Sequence, residues 1–249
     1  MSSIKAGKTG LVFSLVGLVL LASLSGCGSS VNERGEKVAG LGTFSEGYRM
    51  GQLSKFSVKG LFKKSGEGTM MLGADSTPFS IRVSKDEVKT LNPWHFSSDV
   101  ADSAKFTPYI GEYVWIRYNQ ASVGSVLYDT TYMAQEIAPV TRTPAKACAI
   151  LPVKGGVQYS GGSRVGRIVK TSYKGTFSGV KTWEVILQEG SSGNKFVEMS
   201  ITDEGLYNCS VEWLKSGMQV KVDYVQIAFA LSWNKTDYRI HAIKPVPSL

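Results

Sequence analysis

The residues with the clearest chemical potential form a basic, glycine-punctuated stretch that occurs twice. The sequences GYRMGQLSKFSVKGLF at 47–62 and GSRVGRIVKTSYKGTF at 162–177 are identical at eight of sixteen positions. Alternate residues of a strand share one face, so Lys170 and Lys174 are expected on the same side of the second copy. Cations beside aromatic rings are typical of sites for an anionic or aromatic polymer. A solvated outer strand, where lysine discourages edge pairing, explains the same pattern and stays an alternative.

The charge distribution favours the second copy as the binding site. Residues 27–140 contain 12 basic and 12 acidic side chains, whereas residues 141–249 contain 14 basic and 8 acidic ones. No acidic residue occurs from Arg142 to Lys181. The binding candidates in the second copy are Arg164, Lys170, Lys174, Lys181 and Trp183. Weaker candidates, in the first copy and in two aromatic loops, are Arg49, Lys55, Lys59, Trp94 and Trp233.

Catalytic and metal-binding patterns have little support in the sequence. The chain has two histidines, His95 and His241, and neither has the Cys or His spacing of a zinc site. No nucleophile turn accompanies either histidine. We therefore predict a protein that is not an enzyme, with no catalytic residue, no metal ligand and no cofactor.

The first 26 residues have the pattern of a secretion signal. Lys5 and Lys8 precede an apolar run from Leu11 to Ala22, which is too short to span a bilayer. The run is followed by LSGC, which resembles the bacterial lipobox and ends at Cys27. The resemblance implies cleavage before Cys27, acylation of that residue and anchoring in a membrane by its acyl chains. An ordinary signal peptide followed by an incidental cysteine is the alternative.

The segment after the lipobox indicates a location in the cell envelope. Gly28, rather than an aspartate, follows the cysteine, and by the sorting pattern of lipoproteins this favours the outer membrane. The glycine- and serine-rich residues 27–44 are predicted to form a flexible tether. Because the envelope is oxidising, Cys148 and Cys209 are candidates for a disulfide between the linker and the second domain. Two unpaired buried thiols are the alternative.

The repeat extends beyond the opening stretch and indicates a duplicated domain. At an offset of 115 residues the match runs from Ser45/Ser160 to Leu72/Leu187. A second block, at an offset of 106, aligns residues 111–140 with residues 217–246. The predicted organisation is a signal peptide at 1–26, a tether at 27–44, a first repeat at 45–140, a linker at 141–161 and a second repeat at 162–249.

Each copy has the pattern of a mainly β domain. Apolar and polar residues alternate with period two in EYVWIRYNQ at 112–120 and MQVKVDYVQ at 218–226. A short helix is predicted at 204–217, where Gly217 suits the C-terminal cap. Three strands, a helix and two strands are the order of a small five-stranded OB-type barrel. We predict two tandem barrels, each with at most one short helix; SH3-like barrels or β-sandwiches are the alternatives.

The second copy resembles a group of small bacterial envelope proteins. Their pattern, G-x-R-x-G-x-[IV]-x-K-x-S-x-K-G followed by K-T-W-E, is matched over roughly 160–246, with K-T-W-E at 181–184. The first copy departs from it, since the place aligned at an offset of 115 begins at Gly66. Some members carry a 6-phosphogluconate dehydrogenase label, but this sequence has no dinucleotide-binding glycine fingerprint. The resemblance implies a small domain class and no particular reaction.

Two functional classes follow from these patterns. The first is an outer-membrane lipoprotein that acts as a non-catalytic interaction module for a protein partner in the envelope. The second is a binder of an anionic polymer, such as nucleic acid, a cell-wall polymer or acidic lipid headgroups, through the basic second domain. Polymer binding would weaken steeply with salt.

Overall fold

A computed structural model describes residues 30–61, 63–73, 93–150, 156–175, 181–189, 195–228 and 236–246. Within those ranges the chain is mainly β, and its strands form one eleven-stranded sheet. The predicted signal peptide at 1–26 and the lipidation site at Cys27 lie outside the described residues.

The first half of the chain forms a closed ring of five strands. They are β1 (Gly40–Lys59), β2 (Ser65–Leu72), β3 (Pro93–Asp99), β4 (Tyr113–Gly124) and β5 (Tyr132–Pro139). Hydrogen-bonded neighbours follow the order β1, β2, β3, β5, β4 and back to β1. Between β3 and β4 lie the one-turn helix α1 (Ser103–Phe106) and two 3₁₀ turns that flank it.

The second half repeats this arrangement. A two-residue strand, β6 (Cys148–Ala149), precedes β7 (Val157–Gly175), β8 (Lys181–Glu189), β9 (Lys195–Ile201), helix α2 (Glu204–Ser216), β10 (Gln219–Ala228) and β11 (Tyr238–Pro245). The ring closes in the order β7, β8, β9, β11, β10 and back to β7. Each ring encloses its own apolar core.

The predicted helix is present at 204–216. The carboxylate of Asp203 accepts a hydrogen bond from the Leu206 amide at 2.9 Å, which caps the helix N-terminus. Gly217 ends the helix in the left-handed conformation, with φ at 66°. The C-terminal cap predicted from the sequence is therefore the residue that ends α2.

The predicted mainly β fold is confirmed, but the two halves are not separate barrels. Strand β1 pairs antiparallel with β7, with Ser45 opposite Lys174 and Arg49 opposite Lys170. Residues 45–49 thus have β4 on one edge and β7 on the other. This pairing makes the two rings one continuous sheet.

The cross-strand register corrects the sequence alignment in the second strand of each copy. Ser57 lies opposite Glu67, and its counterpart Ser172 lies opposite Glu184. Glu67 is therefore the structural equivalent of Glu184, at an offset of 117 instead of 115. The alignment slipped by two residues because such a slip keeps every side chain on its face of the sheet. The place equivalent to K-T-W-E in the first copy is KSGE at 64–67, which keeps the lysine and the glutamate and has Gly66 at the position of Trp183.

The predicted flexible tether is wrong for its described part. Residues 30–39, here called the N-terminal strap, fold against the first ring, and β1 already begins at Gly40. Val38 and Ala39 are fully buried. The Asn32 side chain accepts hydrogen bonds from the amides of Arg34 and Glu36, at 3.0 and 2.9 Å. Buried side chains and satisfied amides hold the strap in place despite its polar composition.

The described part of the predicted linker lies against the second ring. The Thr141 and Arg142 amides donate hydrogen bonds to the last carbonyl groups of α2, at 3.1 and 3.0 Å. The structure contains the predicted disulfide between Cys148 and Cys209, which joins β6 to α2 across a sequence separation of 61 residues.

Gly47 allows β1 and β7 to approach closely. A methyl group on Gly47 would overlap the Thr171 carbonyl oxygen and would lie 2.8 Å from the Ser172 Cα. Its repeat counterpart, Gly162, faces no such backbone within the chain, because a methyl group there meets only the Tyr224 phenol, at 3.1 Å or more. The two identical glycines therefore have different surroundings.

We expect Gly47→Ala to lower the free energy of unfolding by about 1–3 kcal/mol, because the added carbon overpacks a backbone contact. Gly162→Ala is the matched control and should have a clearly smaller effect at protein concentrations low enough to exclude association. Urea denaturation followed by tryptophan fluorescence measures both changes. Equal losses in the two variants would contradict the close approach of β1 and β7.

Candidate binding groove between the two rings

The pairing of β1 with β7 creates a groove of about 1020 Å³ between the two rings. Both strands line it, together with the N-terminal strap and helix α2. The strap contributes residues 31–34, and the helix contributes one face from Glu204 to Lys215. The β1–β7 pairing therefore brings together walls that belong to both halves of the chain.

Five aromatic side chains line the groove, namely Phe44, Tyr48, Tyr173, Trp183 and Tyr207. The Trp183 ring lies 6.3 Å from the Tyr173 ring and 6.4 Å from the Tyr207 ring, between centroids. Phe44 is nearly half exposed. Aromatic rings that are partly buried in a concave surface are the side chains that most often carry binding energy at protein interfaces.

Helix α2 presents its polar face to the groove because its apolar face belongs to the core. Leu206, Trp213 and Leu214 are buried in the second ring. The Trp213 indole donates a hydrogen bond to the Lys146 carbonyl oxygen at 3.0 Å. Burial raises the pKa of the Tyr207 phenol, which therefore stays protonated and able to donate a hydrogen bond.

Charges of both signs line the groove, and the basic groups have acidic partners. Arg34 forms an ion pair with Glu46 across the strap. Lys215 lies 3.2 Å from Glu212, and its ammonium group also stands over the Tyr48 ring at 5.2 Å. Among the described residues, the groove therefore presents no net cationic surface to a polyanion.

An ion pair fixes the strap that forms one wall. The Arg117 guanidinium lies 2.6 Å from Glu36 and 2.9 Å from Glu136. Burial alone would raise the pKa of Glu36, but hydrogen bonds from Arg117 and Asn32 outweigh it and hold the pKa below its ordinary value. The ionised form of Glu36 is thus the form that binds Arg117.

The two arginines predicted as ligand contacts have packing roles in their rings. The Arg49 guanidinium lies 5.2 Å from the Tyr118 ring and 4.9 Å from the Tyr132 ring. Arg164 has the equivalent position, 5.3 Å from one tyrosine ring and 5.2 Å from another. The rings around Arg164 are those of Tyr224 and Tyr238, the repeat counterparts of Tyr118 and Tyr132. The repeated arginine is a cation–π contact that ties β1 or β7 to the closing strands of its own ring.

Arg164 also has an acidic partner. It lies 2.6 Å from Glu189, and this hydrogen bond raises the pKa of the guanidinium. Burial would raise the pKa of Glu189, but hydrogen bonds from Lys195 and Arg164 lower it overall. Glu189 is therefore the acidic partner of Arg164.

In the second copy a buried glutamate is the shared acidic partner of the two predicted lysines. The ammonium groups of Lys170 and Lys174 lie 3.9 and 3.1 Å from the Glu184 carboxylate. In the first copy Lys59 pairs with Asp129 at 2.8 Å, whereas Lys55 is exposed. The alternation of residues along a strand does not indicate which residues lie opposite on the neighbouring strand. The sequence therefore could not reveal Glu184 as the shared partner of the two lysines.

The remaining predicted residues are divided between groove, core and undescribed positions. Trp183 lines the groove. Trp94, a weaker binding candidate, is buried beside Phe96 in the first core and is not available as a binding contact. The Lys181 side chain and all of Trp233 lie outside the described residues.

Sequence reasoning missed several residues of the groove. Phe44, Tyr48, Tyr207 and Lys215 were not candidates, because their proximity depends on the pairing of two strands far apart in the chain. The sequence contained one signal for these residues. Tyr48 is a large aromatic residue within the repeated stretch, whereas its counterpart in the second copy is Ser163.

No group of three or more His, Cys, Asp or Glu side chains among the described residues could hold a metal ion. No helix in the described ranges is both long and apolar enough to cross a membrane.

Comparisons with known proteins find that part of the chain is similar to one family. The family described as "Domain of unknown function (DUF8785)" matches residues 42–144, which is less than half of the chain. No curated protein matches.

Among solved structures, the single-stranded DNA binding protein from Thermus aquaticus is 10% identical, with 83% of this chain and 95% of that chain covered. A deletion mutant of the same protein is 11% identical, with 83% and 97% covered. The TM-score is 0.25 in both cases, so neither comparison bears on function.

The lowered pKa of Glu36 gives the strap a defined pH dependence. A depressed pKa stabilises the folded strap above the ordinary value of 4.5, and this stabilisation is lost as the pH falls through the folded-state pKa. We expect amide protection over residues 30–39, corrected for the intrinsic exchange rate, to fall in acid. Glu36→Gln should reduce protection at neutral pH and flatten the pH dependence. Glu33→Gln, which changes an exposed strap glutamate, is the matched control, and an unchanged Glu36→Gln profile would contradict the role of this ion pair.

Proposed function

We propose that this protein is a membrane-anchored, non-catalytic interaction module that holds a segment of an envelope protein in the groove between its rings. The strand order within each ring supports the OB-type description, and we include it in this proposal. The observation that carries the proposal is the row of aromatic side chains in a cavity of about 1020 Å³ with charges of both signs.

The chemistry of the groove favours a polypeptide over a polyanion. A protein interface combines aromatic anchors with a rim of mixed polar groups. A polyanion site needs cations free to replace the counterions of the polymer. The described cations nearest the groove are paired instead, with Arg34 on Glu46 and Lys174 on Glu184. The anionic-polymer alternative therefore has no free cationic surface in this part of the molecule.

Lipidation of Cys27 would place the groove close to the membrane. Cys27 and Ser30 are only three positions apart, and a fully extended chain of that length spans about 10 Å. Since the strap that begins at Ser30 forms one wall of the groove, the groove would face the headgroup region instead of standing far from it. A membrane protein, or a protein held at the same membrane, is the partner that suits this position.

Site-specific photocrosslinking tests the groove. A photoreactive amino acid at Asn208, which lines the groove, should give a discrete adduct in cells. Leu61, which is 88% exposed and lies outside the groove, is the control position. Trp183→Ala should reduce the Asn208 adduct roughly tenfold or more, as expected for an aromatic anchor.

Two results would contradict this assignment. Equal adducts from Asn208 and Leu61, or an adduct unaffected by Trp183→Ala, would exclude the groove as the binding site. Retention of the purified protein on single-stranded DNA or heparin that falls steeply with salt and is lost in Lys170→Ala/Lys174→Ala would favour the anionic polymer instead.

The anchor is tested independently of the groove. We expect radioactive palmitate to label the wild-type protein and the protein to sediment with membranes. Cys27→Ser should lose both properties, while Cys148→Ser/Cys209→Ser should keep them. Unchanged labelling of Cys27→Ser would contradict the lipobox interpretation.

A further inference from the structure

The pairing between the two rings joins different parts of the repeated strand. The repeat counterpart of each paired segment is therefore left without such a partner. It joins residues 45–49, in the first half of β1, to residues 170–174, in the second half of β7. Because β1 and β7 are repeats of each other, the counterparts of these segments are residues 160–164 and 55–59. Among the described strands, residues 160–164 pair only with β10, and residues 55–59 pair only with β2. We name these two segments the β7 free edge (160–164) and the β1 free edge (55–59).

Each free edge lies on the same side of its strand as the edge that is paired in the other copy. Residues 51–52 of β1 pair with β2 and β4 at once, so these neighbours lie on opposite edges. The unpaired side of residues 55–59 is therefore the β4 side. Residues 166–167 of β7 likewise pair with both β8 and β10, so these two strands lie on opposite edges of β7. Residues 170–174 pair with β8 on one edge, and β1 therefore lies on the other edge, the β10 side. The two free edges are thus complementary by construction.

Residues on the two free edges are more exposed than their counterparts in the other copy, as expected when a neighbouring strand is missing. Ser45 and Gly47 are buried, whereas their counterparts Ser160 and Gly162 are exposed. Ser172 is also fully buried, while its counterpart Ser57 is only partly covered. The difference follows from strand pairing, because these positions are otherwise equivalent.

The residue types needed for pairing are present on the free edges. Gly47 allows the close approach to Thr171 and Ser172, and Gly162 is identical to Gly47 although the chain itself brings no backbone against it. Three identical residues, Lys55, Ser57 and Lys59, repeat the sequence of the paired segment of β7. Lysine does not prevent this kind of pairing, since Lys170 and Lys174 both lie inside the existing one.

Apolar side chains also remain exposed on or beside both edges. Val58 is 48% exposed on the β1 free edge. Tyr159 and Val165, which flank the β7 free edge, are 59% and 45% exposed. An exposed edge with apolar side chains is a template for another strand.

We propose that the β7 free edge of one molecule pairs with the β1 free edge of a second molecule of the same protein. The intramolecular register sets the intermolecular one, with Ser160 opposite Lys59, Gly162 opposite Ser57 and Arg164 opposite Lys55. Such a contact is heterologous, so repetition builds a ring or an open filament instead of a symmetric dimer. Anchoring in one membrane would promote it by concentrating the molecules.

Cysteine crosslinking tests the register. Directly opposite residues have Cβ atoms about 5 Å apart, close enough for a disulfide. Full-length Lys59→Cys protein mixed with Ser160→Cys protein should form a covalent dimer under mild oxidation. Lys55→Cys mixed with Ser160→Cys is the control, because a shift of four residues separates the thiols by roughly 13 Å. Equal crosslinking of both mixtures, or of neither, would overturn the proposed pairing.

Light scattering on the purified lipoprotein in detergent gives a second, independent measurement. The wild-type mass should rise with protein concentration beyond one chain, and Gly162→Ala should remain at one chain because its methyl group meets the backbone of the incoming strand. Gly124→Ala is the matched control, since a methyl group there contacts only the Thr131 side chain, at 3.3 Å. A wild-type protein that stays at one chain across the whole concentration range, or Gly162→Ala that associates like the wild type, would overturn the proposal.

Discussion

The antiparallel pairing of β1 with β7 is the interaction on which the rest of the structure depends. It joins two rings that each have a separate core, and it creates the groove between them. It also brings Lys174 of the second ring over the Phe44 ring at 5.6 Å, and Lys215 over Trp115 at 5.1 Å. A single glycine, Gly47, sets the distance between the two strands.

Local charge pairing explains why Lys170 and Lys174, within the described part of the chain, do not form the open cationic stripe that the composition indicates. A buried carboxylate is costly unless cations surround it, and Glu184 is only 7% exposed. Lys170 and Lys174 both satisfy that requirement, as Arg164 and Lys195 do for Glu189. The acid-free stretch of the sequence receives its acidic partners from strand β8, which follows it in the chain.

The sequence predicted the features that depend on neighbours along the chain. The strand alternation and the C-terminal cap of helix α2 were accessible in this way. The disulfide between Cys148 and Cys209, which are 61 residues apart, was predicted instead from a pair of cysteines in an oxidising compartment. Features that depend on distant strands were not accessible. The pairing of β1 with β7 leaves no periodic signal, and the strap looked like a flexible tether because its composition does not show that Val38 is buried. The repeat alignment failed by two residues at Glu67 because period-two patterns tolerate such a slip.

Residue-resolved amide hydrogen exchange of the protein at low concentration tests the central claim most directly. Pairing of β1 with β7 protects residues 45–49 and 170–174 along both edges, whereas their counterparts at 160–164 and 55–59 are paired along one edge only. We therefore expect protection of every amide in the first two segments and rapid exchange of alternate amides in the last two. Equal protection in the two copies of the repeated stretch would contradict the account.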